Sequence, residues 1–284
     1  MEKDTRNALI IIVVAIAILC SVFVGIGLKS GLDHPQTTVN SQSMQHGVGS
    51  QLGIIDTGDI FILKSSDRVD IRSFVDGYKE GFTSFGDYGH VIIYERGGNQ
   101  NPVIHRAILW LDYNGDHTWS APSLKDYPAA LWSNGSNTDY MSLSGVLVMR
   151  NMGYNNNVSC SIDLDRLANN APSSGYITMG DNNLVFDQSG GVIGSLVSKD
   201  IIKSVAWIEI PWLGSINMIF SGKSAVINEQ VPNSIPCIAV VFLTIIFGLA
   251  GLFCFWNYRD IVKYRKELTE EKNAPTPLFP LEKK

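Results

Sequence analysis

Cysteine is scarce in this chain where it would matter for chemistry. Of the four cysteines, Cys20, Cys237 and Cys254 lie inside long apolar blocks, which leaves Cys160 alone in the polar part of the sequence. A lone thiol gives no intramolecular disulfide, no thiolate metal site and no cysteine-centred mechanism. An excess of basic residues is lacking as well. The 22 Lys and Arg are outnumbered by 27 Asp and Glu, for a formal net charge of -5, so no nucleic acid is expected as a partner. A calcium-loop trace at Asp112, Asn114 and Asp116 is incomplete, because His117 stands where glycine is usual and Ser123 where a bidentate glutamate is usual. No metal is expected, and the sequence has no internal repeat.

Two stretches hold no charge at all, Ala8–Leu28 and Ile235–Trp256. At a helical rise of about 1.5 Å per residue each is long enough for the roughly 30 Å hydrocarbon core of a bilayer. The first exceeds the apolar core of a cleaved signal peptide, about 7 to 15 residues, and reads as an uncleaved anchor, although Gly25 and Gly27 provide a loosely suitable small-residue spacing. The second ends in Phe255, Trp256 and Tyr258, aromatics suited to a membrane interface. Arg259, Lys263, Arg265 and Lys266 follow it, whereas only Lys223 lies close before it, which orients the C-terminus towards the cytoplasm. Two spans then return the N-terminus to the same side. The expected organisation is a cytoplasmic N-terminus at 1–7, an anchor at 8–28, an extracytoplasmic domain at 29–230, a second span at 235–256 and a cytoplasmic tail at 257–284. Pro275, Pro277 and Pro280 predict that the tail helix is short and frays. The whole reads as a multi-pass protein of the cell membrane, with lipid as one partner.

Between the spans, Gly58–Lys64 predicts a turn feeding a buried strand. Ile71, Phe74, Val75, Tyr78 and Phe82 recur at helical spacing and predict one amphipathic helix over 68–83, weakened by Gly77 and Gly81. His90–Tyr94 and Val103–Trp110, separated by Gly97-Gly98-Asn99, predict a hairpin. Residues 114–174 are rich in Asn, Ser and Gly and read as an insertion, broken by one strand at Val146–Met149. Strand signals return at Tyr176–Met179 and Ile201–Ile210. The fold class predicted is mainly β, an antiparallel sheet domain flanked by two transmembrane helices. Asn134-Gly135-Ser136 and Asn157-Val158-Ser159 match the glycosylation sequon, expected in exposed loops.

The stretch around which the chemistry is organised is Ser41-Gln42-Ser43-Met44, a dozen or so residues beyond the first apolar block. Ser43 is the candidate nucleophile, and an alcohol needs a base within hydrogen-bond reach and donors aimed at the developing oxyanion. Of the five histidines, His34 lies close to the anchor, His117 in a polar loop, and His90 at the start of a strand. His46 is three residues from Ser43, but Gly47 and Gly49 argue against a helix that would unite them. His105 shares a strand face with Val103, Ala107 and Leu109 while Arg106 points the other way, so its imidazole is expected to be desolvated and neutral, as a general base must be. Asp181 and Asp187, after the Tyr176–Met179 strand and the hinge-like Gly180, are the candidates to hold its second nitrogen.

Taken together, Ser41-Gln42-Ser43-Met44 after an anchor, Gly58-Asp59-Ile60 opening a strand, Val103-Ile104-His105-Arg106, and Gly180-Asp181-Asn182-Asn183 followed by Asp187 resemble type I signal peptidase. The form resembled is the endoplasmic-reticulum and archaeal one, in which His stands at the position of the bacterial catalytic Lys. The resemblance covers Ser41 to about Met218. It implies Ser43 as nucleophile, His105 as general base, Asp187 or Asp181 as the supporting acid, and an oxyanion hole made by the Ser43 amide and the Ser41 hydroxyl. Asp59, Ile60, Phe61 and Ile62 would contribute to the substrate groove. The implied activity is a serine endopeptidase that removes signal peptides from exported preproteins after small side chains, without a cofactor, and in association with the secretion translocon. The chain departs from the pattern in having Gln45-His46-Gly47 where proline usually follows Ser-Met, and in the length of 114–174. A dyad built on Lys64 or His46 is the rival chemistry. A non-catalytic anchored binding or surface protein is the rival function.

Overall fold

The structure is a computed structural model that describes residues 3–98 and 100–273. Met1, Glu2, Asn99 of the expected turn and the tail prolines lie outside the described residues. The chain divides into two compact units, Met1–Ile235 and Pro236–Lys284. In the first, α1 (Lys3–Ser30) carries the N-terminal apolar block. Ile12, Val13, Ile16, Leu19 and Val22 on it are each more than half exposed. A helix apolar all round with no protein to cover it suits lipid rather than water.

Beyond α1 lie the strands β1 (Gln36–Thr38), β2 (Ile60–Ser65), β3 (Thr83–Ser84), β4 (Asp87–Tyr88), β5 (Val91–Tyr94), β6 (Val103–Tyr113), β7 (Trp119–Ser120), β8 (Trp132–Ser133), β9 (Val146–Met152), β10 (Val158–Asp163), β11 (Gly175–Met179) and β12 (Ile202–Ile210). The large sheet runs β1-β2-β12-β5-β6-β11, with β7 attached to β6, and its pairings are antiparallel. β5 and β11 are buried at every position, which explains why neither alternates apolar with charged residues, since a strand covered on both faces has no reason to alternate. The β5–β6 hairpin sets Ile92 opposite His105 and Val91 opposite Arg106.

The helix predicted over 68–83 is shorter, α2 (Phe74–Glu80), and its caps show why. Ser73 accepts from the Asp76 amide while the Asp76 carboxylate returns to the Ser73 amide, a reciprocal capping box that fixes the start. Gly81, at φ 72°, ends it in the left-handed conformation. Ile71 and Phe82 keep helical spacing but fall outside the helix. Gly77 is there because a Cβ would strike the backbone of Phe82 and Gly89.

Residues 114–174 are not a loose insertion. They hold β7 to β10 and α3 (Leu164–Asn170), with β10-β9-β8 forming a second antiparallel sheet. Trp119, Leu143, Leu147, Met149, Ile162 and Leu167 join Ile108, Leu109, Leu111, Ile177 and Phe186 in one core. Their strands are veiled in the sequence because only alternate residues face that core. Asn134 is not in an exposed loop: it is 5% exposed, and its amide donates to the carbonyls of Ser144 and Val146. Asn157 is exposed. Of the calcium-like trace, Asp112 accepts from the Trp110 indole, while Asn114 and Asp116 bond Thr118. Among the described residues no group of three His, Cys, Asp or Glu is placed to hold a metal ion. Cys160 is buried, which pushes its thiol up to about 11.

After β12 come two short helices absent from the sequence reading, α4 (Leu213–Phe220) and α5 (Ser224–Gln230). They lead to α6 (Ser234–Asn273), the second helix long and apolar enough to span a membrane. α6 runs on past Trp256 through residues rich in Lys, Arg and Glu, good helix formers that give no cause to stop. The chain as a whole is therefore a mixed helix and antiparallel-sheet structure, 38% helix and 25% strand, rather than mainly β. The long α1 and α6, at 28 and 40 residues, tip that balance.

Candidate active site

The loop Ser41–Met44 leaves the edge strand β1 and is pinned from three directions. Met44 is 1% exposed and inserts among Val39, Ile55 and Phe61. The Gln45 amide closes a turn onto the Gln42 carbonyl at 3.1 Å. From across the site, the Asn182 amide donates to the Ser43 carbonyl at 2.9 Å and its side chain to the Gln42 carbonyl at 3.0 Å. These contacts leave the Ser43 hydroxyl facing β6, where its Oγ lies 3.0 Å from His105 Nε2.

His105 is 5% exposed, on β6 between β5 and β11, and its Nδ1 lies 2.8 Å from both oxygens of the Asp187 carboxylate. Burial would push that carboxyl up, but the hydrogen bond from His105, with Tyr94 also donating, holds it below the ordinary range, so it is ionised at neutral pH. The Tyr94 hydroxyl, itself pushed up by burial and by Asp187, donates to Oδ2 at 2.7 Å. An ionised carboxylate only accepts, so Nδ1 carries the proton and Nε2 presents its lone pair to Ser43. Ser41 Oγ lies 3.2 Å from Ser43 Oγ, so a second hydroxyl stands beside the first. A Cβ at Gly180 would lie 2.5 Å from the Ser43 carbonyl and 2.9 Å from His105 Nε2. What reads in sequence as a hinge is a position with no room for a side chain.

Asp181 does not support His105. It is held by Arg106, the neighbour of His105 on the opposite face of β6, whose Nε and Nη2 reach its two oxygens at 2.7 and 2.5 Å. Asp181 Oδ2 also meets His46 Nε2 at 3.0 Å. Burial alone would raise the Asp181 carboxyl; Arg106 and His46 outweigh it and keep the group ionised. Arg106 is 1% exposed and also donates to the carbonyls of Ser84, Asp87, Tyr88 and Gly89, organising the loop between α2 and β5. Arg106→Met would leave a buried carboxylate and these carbonyls uncompensated, and is expected to cost about 3 to 5 kcal/mol of stability in denaturant unfolding of the solubilised chain.

The rival bases stand elsewhere. Lys64 Nζ lies over the Trp207 ring, 5.9 Å from its centroid, and His46 faces Asp181. His90 accepts from the Arg72 amide at Nδ1, and burial together with Arg72 lowers it to about 4.

Asp59, Ile60, Phe61 and Ile62 do not form an open groove. β2 is paired on one side by β1, with Thr38 opposite Ile60 and Gln36 opposite Ile62, and on the other by β12. Both ladder edges are taken, and the side chains of Phe61 and Ile62 are buried. Asp59 is wholly buried and structural: its Oδ1 accepts from the Trp212 amide and its Oδ2 from the Asp56 amide. Burial first, then the Asp56 and Glu209 charges, push it up to about 8, and burial with Asp56 pushes Glu209 up to about 7.

A carboxyl raised in the folded state contributes stability that is complete below its unfolded value, near 4.5 for Glu209, and is lost as pH rises through about 7. The chain is therefore expected to lose stability between about pH 5 and 8. Glu209→Gln keeps an oxygen for the Gly53 amide that Glu209 holds at 2.6 Å. It should flatten the decline by about 1 kcal/mol after allowance for partial solvent exposure, read from unfolding midpoints at pH 6 and 9.

An alcohol, an imidazole and a carboxylate in unbroken contact, with the alcohol at the surface and the carboxylate at the core, have the geometry by which a serine is activated for nucleophilic attack. Compared with known proteins, the chain matches no protein-family model and no curated protein.

Proposed function

We propose that this chain is a membrane-bound serine endopeptidase of the type I signal peptidase kind, in its endoplasmic-reticulum and archaeal form, cutting signal peptides from exported preproteins after small side chains. The observation that carries the reading is the contact of Ser43 Oγ with His105 Nε2 at 3.0 Å, backed by Asp187 at 2.8 Å. In the proposed reaction His105 takes the Ser43 proton as Oγ attacks the scissile carbonyl. The oxyanion is met by the Ser43 amide and the Ser41 hydroxyl, and the imidazolium then protonates the departing amine. Water hydrolyses the acyl-enzyme by the same route. No cofactor enters.

The surroundings support this use of the site. β1 is the edge strand of the large sheet and runs directly into Ser41–Ser43, so an extended chain pairing with its free edge would be led to the nucleophile. The end of α1 is tied to the same sheet, because Ser30 Oγ donates to the Leu63 carbonyl at 2.7 Å and Arg68 to the Leu28 carbonyl at 2.6 Å. If α1 spans the bilayer, the site stands close to the membrane surface where a signal peptide emerges. Both apolar helices as spans, the intervening domain outside the cytoplasm and proximity to the translocon belong to the same proposal.

The purified chain in lipid vesicles, given a preprotein, should release the mature protein with a new N-terminus directly after a small residue. An intact preprotein, with the chain folded, would favour an anchored binding protein instead.

A further inference from the structure

We propose that His46 is a positioning residue for Ser43, holding the loop that carries the nucleophile through Asp181 and Tyr154. This rests on the reading of Ser43 as nucleophile.

The His46 ring is enclosed, its side chain 10% exposed. One face stacks on Tyr154, with ring centroids 4.9 Å apart and planes 15° from parallel. Its edge lies so close to Gly86 that a Cβ there would come within 2.8 Å of Cε1. Nε2 meets Asp181 Oδ2 at 3.0 Å. Since Asp181 is ionised and can only accept, that nitrogen must carry a proton, and no lone pair is left on it for catalysis. A ring so held serves as a strut.

The strut closes a circuit around the nucleophile. The Asp181 carbonyl accepts from the Tyr154 amide at 3.0 Å, and the next residue, Asn182, donates its amide to the Ser43 carbonyl at 2.9 Å. His46, three residues after Ser43, returns to the side chain of Asp181. The Ser43–His46 segment is thus fastened at both ends to the turn 180–182, and that turn is fixed to β6 by the Arg106 fork. On the other side the His46 carbonyl accepts from Gln51 at 2.8 Å. Without the imidazole, Asp181 keeps Arg106 and stays in place, and the loop keeps its Gln45 and Gln51 bonds but loses its side-chain tie to the turn that holds Ser43. Ser43 Oγ then samples positions away from His105 Nε2, and displacement of a reacting atom by about 1 Å can cost about 100-fold in rate.

The test uses the full chain in vesicles and three variants, His46→Ala, His46→Gln and Tyr154→Ala. Gln can place an amide nitrogen where Nε2 sits. His46→Ala is expected to lower kcat about 10- to 100-fold with KM within about twofold, and to leave the pH inflection of kcat/KM where it was; Gln should restore most of the loss, and Tyr154→Ala should lie between. A second readout does not depend on proteolysis. In a Ser43→Cys background, the rate of iodoacetamide alkylation at position 43, mapped by peptide mass, should fall with His46→Ala and recover with His46→Gln.

Unchanged kcat and alkylation in His46→Ala would overturn the proposal, as would equal impairment by Ala and Gln, or a shifted pH inflection that marks His46 as a titrating base. If the parent chain cleaves no preprotein, the peptidase reading falls and the alkylation rates alone decide the role of His46.

Discussion

Ser43→Ala and His105→Ala are each expected to reduce preprotein processing by about 10⁴-fold or more, with Ser43→Ala keeping the unfolding midpoint of the folded chain to within a few degrees. Ser43 is partly exposed, and among the described residues its hydroxyl bonds His105 and Ser41, both within reach of water at the partly exposed site once it is gone. His105→Ala takes a partner from the buried Asp187 carboxylate, which keeps Tyr94, so this variant is expected to unfold at a lower midpoint while still folding. Alcohol and imidazole act as one unit, so the double variant should be no slower than either single one. Single-turnover cleavage in vesicles, with unfolding curves alongside, separates this loss from misfolding. Full processing by either variant would remove the dyad from the mechanism.

Asp187→Asn is expected to cost about 10⁴-fold in kcat with little change in KM. The substitution is isosteric, and the Asn oxygen can still accept from the Tyr94 hydroxyl. Its nitrogen then faces His105 Nδ1, which forces the imidazole proton onto Nε2 and points a donor, rather than a lone pair, at Ser43. The imidazolium that forms during attack also loses the adjacent negative charge, which burial makes more valuable than it would be in water. Arg106→Met, by contrast, should show its main effect in stability. The two carboxylates lie six positions apart and differ in what they hold: one orients a base, the other neutralises a buried cation.

That difference shows where reading the sequence stops. Strands such as Val91–Tyr94 and Tyr176–Met179 are legible because short, mostly apolar runs rich in aromatic and β-branched residues leave little else for them to be, and the two apolar helices are legible from length alone. β1 is not, being three residues of Gln and Thr, nor, β9 at Val146–Met152 apart, are the strands of 114–174, whose outward residues supply the Asn and Ser that read as loop. Ser43 and His105 are legible as a pair through motif order, and the alternation of β6 already sends Arg106 away from His105. The choice between Asp181 and Asp187 needed one step more, that a buried guanidinium on the far face demands a carboxylate of its own. Neither spacing nor composition says which aspartate that is. Gly180 and His46 take roles other than the hinge and the rival base that the sequence suggests, and Tyr94 carries no sequence signal at all, because their contacts reach across 40 to 140 residues of chain, which no local pattern encodes. Asp59 is not legible, because a Gly-Asp turn before a strand looks the same whether its carboxylate faces a groove or accepts from buried backbone amides such as those of Asp56 and Trp212.

The central claim is that an imidazole stands in proton-transfer contact with the side chain at position 43. Ser43→Cys turns that contact into a rate, because a thiol beside a neutral imidazole ionises to a thiolate–imidazolium pair well below the usual thiol range. Iodoacetamide at pH 6 should therefore alkylate Cys at position 43 at least about 10-fold faster than in the same variant carrying His105→Ala. Equal rates in the two proteins would contradict the contact, and with it the mechanism built on it.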